Sequence, residues 1–224
     1  MIAYQFKNII RIPFNSIELE GELSIPKNSE SLVIFSHGSG SSRFSPRNNF
    51  VAKIFNEHGI STYLVDLLTK KEDEVYANRF DIDLLTERLI HVTKHLADLK
   101  ETSKLRIGYF AASTGAASAM KAASLLPKII HAIVSRGGRP DLALSDLKNV
   151  EAPTLLIVGS LDYEVIKLNQ LAYHQMQCTK NLEIIKGATH LFEESGALQE
   201  VANISKDWFS THFMVNKKQL VITM

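Results

Sequence analysis

Cysteine is almost missing from this chain of 224 residues: Cys178 stands alone. An internal disulfide is therefore excluded, as is a CxxC metal site, and a reducing compartment is allowed. No apolar run approaches the ~20 residues that cross a bilayer. The first residues, Met1 to Asn8, lack the apolar stretch of a secretion leader. Charge of one sign is not in excess either, the formal net charge being +1. No global field draws the chain to nucleic acid or to an acidic membrane. HExxH and clustered Cys/His are absent, and so are the P-loop lysine motif and G-x-G-x-x-G. These absences lead us to expect a cytoplasmic protein with no metal or organic cofactor. Nucleic acid and membrane are not expected partners, and a small molecule is the expected ligand.

What is present is an ordinary globular composition, 45% hydrophobic and 22% charged. It suits a single domain over 1–224 with one large core. Residues 9–14 and 17–25 read as an antiparallel pair of short strands, the second alternating Ile17, Leu19, Leu23 and Ile25 with glutamates. Then the pattern changes to continuous apolar runs: 32–35, 61–65, 105–110, 129–134, 154–158 and 182–185. Such runs suit strands buried on both faces of a parallel sheet. Helical periodicity separates them over 48–58, 81–99, 116–126, 164–176 and 194–213. Strands alternating with helices give an α/β fold, mostly parallel, with an antiparallel N-terminal opening and helices on both faces. The apolar tail 219–224 is read either as an edge strand or as disordered, and neither this nor the choice between monomer and homodimer is decided.

The run Leu105–Phe110 stops at Ala111-Ala112-Ser113-Thr114-Gly115, and a helix-forming segment follows at once. A serine on a sharp strand-to-helix turn, crowded by small residues, is the layout of a nucleophile elbow. The usual pattern is G-x-S-x-G; here Ala111 replaces its first glycine, keeping the bulk low but losing freedom in φ. Two further residues end strands on the same edge. Asp162 follows the fifth parallel run and His190 follows the sixth. A serine hydroxyl needs a base to take its proton as it attacks a carbonyl. Histidine, ordinarily titrating near ~6.5, can accept that proton and return it to the leaving group. A carboxylate fixes the imidazole tautomer and stabilises its cationic form. Against this, an Asp before a helix is often an N-cap, and eight histidines make one in a loop unremarkable.

The loop Ser36–Arg43, rich in glycine and serine, can aim backbone N–H groups at a developing oxyanion. We assign one donor to Ser39, with Gly40 as the fallback, and the other to Thr114. The competing reading is a phosphate-binding loop. Arg43, Arg47, Arg136 and Arg139 all lie near strand ends. Arginine forks grip carboxylates and phosphates at two points. Arg43 and Arg136 are therefore candidate substrate ligands, unless these arginines pair with Asp66, Asp141 or Glu193 and only fix loops.

Ser113, Asp162 and His190, in that order along the chain and with the His37-Gly38 loop, resemble the α/β-hydrolase superfamily. The stretches 37–43, 45–48, 66–69, 112–115, 135–141 and 187–193 resemble its small dienelactone-hydrolase-like branch, whose relatives occur alone or fused to a phosphoribosyltransferase domain. The resemblance spans roughly residues 15–212. It implies an α/β-hydrolase fold and a carboxylic ester hydrolase. Dienelactone hydrolases proper use a cysteine nucleophile where this chain has Ser113, so their particular substrate is not implied. No long insertion follows the fourth parallel strand, so no large lid is expected. Two functions are in play: a serine hydrolase acting on a small ester, thioester or lactone through an acyl-enzyme on Ser113, or a catalytically silent copy of the fold that binds a ligand or partner.

Overall fold

The computed structural model describes residues 2–214. Strands β1 (Tyr4–Phe14) and β2 (Ile17–Pro26) form the antiparallel hairpin, and β3 (Ser31–Ser36), β4 (Ser61–Val65), β5 (Arg106–Ala112), β6 (Ile130–Arg136), β7 (Thr154–Gly159) and β8 (Lys180–Ile185) follow. They form one sheet in the order β1-β2-β4-β3-β5-β6-β7-β8. Pairing is antiparallel up to β2–β4 and parallel from there on. Because side chains alternate along a strand, β3 feeds two cores. Leu32 and Ile34 join one, Val33 and Phe35 the other.

Helices α1 (Pro46–Glu57) and α6 (Ala197–Phe213) cover one face. Helices α3 (Ile82–Asp98), α4 (Gly115–Leu125) and α5 (Tyr163–Gln175) cover the other, with a four-residue α2 (Lys70–Asp73) ahead of α3. Strand β1 begins five residues before the expected start: Tyr4 and Phe6 are half-buried and alternate with the exposed Gln5 and Lys7, and the exposed pair Asn8-Ile9 separates them from the run that follows. Strand β6 runs on to Arg136, two residues beyond the expected end, so Arg136 belongs to the strand and not to the turn after it. Helix α6 starts at Ala197, after Gly196 at φ 82°, three residues later than expected. The tail 219–224 lies outside the described residues.

The chain leaves β3 towards β4 on one side and β5 lies on the other side. Such a reversal opens a crevice at the carboxyl ends of the strands. The loop after β3 and Ser113 after β5 both sit there. After β6 come only short 3-10 turns, Pro140–Ala143 and Leu147–Asn149. A longer excursion, residues 66–81, follows β4. It is pinned by Arg88, 4% exposed, which donates to Leu67 O and to both carboxylate oxygens of Glu72. Glu72 also closes a capping box with Thr69. The Arg88 hydrogen bonds hold the Glu72 carboxyl down at about 2, against an ordinary 4.5. A carboxyl depressed by folding stabilises the native state above its unfolded pKa and loses that contribution as pH falls through the folded one. In Glu72→Gln we expect the melting temperature to fall near neutrality and its decline between pH 4.5 and 2 to flatten; an unchanged acid limb by circular dichroism would show the pair to be idle.

Candidate active site

Ser113 sits between the last residue of β5 and the first turn of α4 with φ at +49°. A side-chain-bearing residue avoids that region unless its surroundings impose it. Here they do. The Ser113 carbonyl accepts N–H bonds from Arg139 (2.9 Å) and Ala116 (3.1 Å). A Cβ on Gly115 would lie 2.3 Å from Ser36 O, and one on Gly38 would lie 2.7 Å from Ser113 Cβ. Two glycines thus let the β3 loop close directly on the serine turn.

Asp162 and His190 come together. His190 Nδ1 and Asp162 Oδ2 are 2.6 Å apart, with the carboxylate largely buried and the imidazole more open. Asp162 does occupy the N-cap position of α5, but its side chain makes no capping bond; the carboxylate is turned to His190 instead. The imidazole packs beside Gly137, which has φ +51° and whose notional Cβ would be 3.5 Å from His190 Cε1. Ser113 and His190 line the same cleft, of about 260 Å³, with Gly38, Ser39, Arg47, Asn48 and Arg136. Among the described residues no hydrogen bond joins Ser113 to His190.

The Ser39 N–H, expected as a free donor, is occupied: it donates to Thr114 Oγ1 at 3.0 Å. The hydroxyl of the residue after Ser113 thereby ties the β3 loop to the serine turn. The Thr114 N–H has no acceptor among the described residues.

Arg43, a candidate substrate ligand, is engaged by two carboxylates. Its guanidinium grips Asp66 and Glu20, and its backbone N–H donates to Asp66 Oδ1 at 2.7 Å. Burial alone would raise the Asp66 carboxyl, yet the His37 ring 3.6 Å away and then the Arg43 bonds carry it below the ordinary carboxylate range. The other arginines divide likewise. Arg139 takes Asp141 in a two-point pair at 2.8 and 2.9 Å, and Arg47 takes Glu193 at 2.6 Å. Among the described residues, Arg136 alone of the four has no carboxylate partner. It is 7% exposed, lines the cleft and donates weakly to Asn48 Oδ1 at 3.5 Å. Asn48, Gly137 and the Thr114 hydroxyl were not foreseen in the sequence, because each acts through a tertiary contact that no local pattern encodes.

A mostly parallel sheet opening on an antiparallel hairpin, with a serine on a left-handed turn at the switch point and an Asp–His pair on the same edge, defines an α/β-hydrolase. Comparison with known proteins narrows this. The dienelactone hydrolase of Anabaena variabilis superposes with a TM-score of 0.90 at 46% identity, over 93% of this chain and 98% of that one. This chain belongs to the same family, the dienelactone hydrolase family of the α/β-hydrolase fold. Est1E from Butyrivibrio proteoclasticus shares the fold at 18% identity and a TM-score of 0.78, over 91% of this chain and 98% of that one. Two Mycobacterium tuberculosis chains, from strains CDC 1551 and H37Rv and each named "Putative phosphoribosyl transferase", are 47% identical over 203 residues, 91% of this chain. The present chain spans 46% of their length, so in those relatives the hydrolase-like segment is part of a longer chain. No family model matches the chain. No helix of the described residues is long and apolar enough to cross a membrane.

Proposed function

We propose that the chain is a serine hydrolase that cleaves a small-molecule ester, thioester or lactone. The observation that carries this reading is the 2.6 Å His190–Asp162 bond on the rim of the cleft that holds Ser113. Asp162 holds Nδ1, so Nε2 is the nitrogen left to serve as base. As Ser113 Oγ bonds to the carbonyl carbon, its proton passes to His190 Nε2. The carbonyl oxygen takes the negative charge, the bond to the leaving group breaks, and His190 returns the proton to it. Water then attacks the acyl-enzyme with the same base, releasing the acid and restoring Ser113.

The Thr114 N–H is the first oxyanion donor. Rotation of the Thr114 hydroxyl would free Ser39 N–H as the second, with Gly40 N–H as its alternative. Each donor is worth roughly 3–4 kcal/mol in the transition state. The single cysteine suits a cytoplasmic setting.

Labelling with a fluorophosphonate tests the reading. One adduct per chain by intact mass, located on Ser113 and matched by turnover of simple esters, is the expected result. A folded protein that takes no label and turns over no ester would overturn it and favour a ligand-binding copy of the fold.

A further inference from the structure

Among the described residues, Arg136 is a buried cation with no carboxylate partner. Its Nε has no acceptor. Its other neighbours are the Phe192 ring face at 5.8 Å and Asn48 Oδ1 at 3.5 Å. The charge that shifts it is of like sign: burial and then Arg47 pull its pKa down to about 10 from 12.5. Arg47 has its own Nε buried without a partner. An arrangement of this kind is costly to fold, and nothing in the internal hydrogen bonding repays it.

The surroundings add to the same field. Ser45, Arg47 and Asn48, from the cap and first turn of the twelve-residue α1, line the cleft with Arg136. A helix start is the positive end of the helix dipole. Arg136 also pairs with Ala112 across β5 and β6. One strand spacing, about 4.8 Å, therefore separates its backbone from the residue preceding Ser113.

We propose that Arg136 and the first turn of α1 form a binding site for a small oxyanion, a carboxylate or phosphate carried by the substrate in addition to the bond that is cleaved. The site deepens the hydrolase reading, on which its catalytic consequence rests, but binding at the site does not require turnover. Because the cation lies beside the serine turn, the anionic group sits only a few bonds from the reacting carbonyl. Half-esters of short diacids, or comparably small phosphorylated esters, match that spacing. Asn48 is the positioning residue that holds one guanidinium nitrogen.

The test compares mono-4-nitrophenyl succinate with 4-nitrophenyl butyrate, which share a chain length and differ in charge. Wild type should prefer the succinate half-ester by about 10–100-fold in kcat/KM, the usual range for a charge-assisted contact. In Arg136→Gln that ratio should fall towards one, with Arg136→Lys in between. A wild-type ratio near one, or an equal loss on both esters in the glutamine variant, overturns the site. If wild type cleaves neither ester, the hydrolase reading fails for these compounds, and titration calorimetry decides the site alone. Succinate or inorganic phosphate should then bind wild type in the millimolar range and not Arg136→Gln, and the tighter of the two identifies the anion. Binding of neither to wild type overturns it. Stability gives a readout that a structural arginine would move the other way. Removing an unpaired buried cation should raise the melting temperature by about 2–4 °C, whereas a drop would mark Arg136 as part of the framework.

Discussion

Ser113→Ala is expected to lower kcat on a simple ester by about 10^6-fold, to the level left by the remaining machinery, and to abolish fluorophosphonate labelling. KM should change little, because the cleft walls and the arginines are untouched. The melting temperature should also stay close to wild type. Alanine keeps the Cβ that the left-handed turn already accommodates, and Ser113 Oγ makes no hydrogen bond among the described residues. A residual rate within tenfold of wild type would place the nucleophile elsewhere and remove Ser113 from the mechanism.

The second large effect falls on Asp162→Asn. An amide in place of the carboxylate leaves the shape of the site intact. It also lets the histidine settle in the wrong tautomer and withdraws the charge that stabilises the imidazolium. A loss of about 10^4-fold in kcat is expected. The competing role for Asp162 is helix capping, which asparagine would still serve; a cap would instead show in Asp162→Ala as a loss of stability of about 1 kcal/mol. Since the Asp162 side chain makes no capping bond to α5, the melting temperature of Asp162→Ala should hold while its activity collapses. Lost stability with retained turnover would reverse that assignment.

The sequence displays the residues that meet at the candidate site more clearly than the contacts they make. The interior strands were legible because a strand buried on both faces has to be a continuous apolar run, as Leu32–Phe35 and Leu155–Val158 are. The order Ser113, Asp162, His190 followed from counting such runs. The edges were less legible: in β1 the alternation begun by Tyr4 and Phe6 is interrupted at the exposed Asn8 and Ile9, so its first residues do not read on into the run at 9–14. The arginines illustrate a different limit. Arg43 and Arg136 look alike in the chain, each close behind or at a strand end. Only the tertiary fold brings Glu20 and Asp66 to the first and leaves the second facing a cleft. Pairing is a property of neighbours distant in sequence, and composition cannot supply it. The Ser39 N–H shows the same limit at the level of a single hydrogen bond, since the chain pattern that exposes a backbone donor says nothing of the hydroxyl, 75 residues away, that takes it.

On the proposed mechanism, the left-handed turn at residue 113 also restricts which residue can attack from it. A backbone at φ +49° tolerates an unbranched Cβ but penalises a second heavy group on it. Threonine is therefore shut out as the attacking residue, although its oxygen is as capable as that of serine. Cysteine is not shut out, because it differs from serine in one atom beyond the Cβ. Oxygen and sulfur can exchange at this position within one unaltered backbone, so homologous scaffolds can diverge between two nucleophile chemistries by a single substitution, with the geometry of the turn inherited intact.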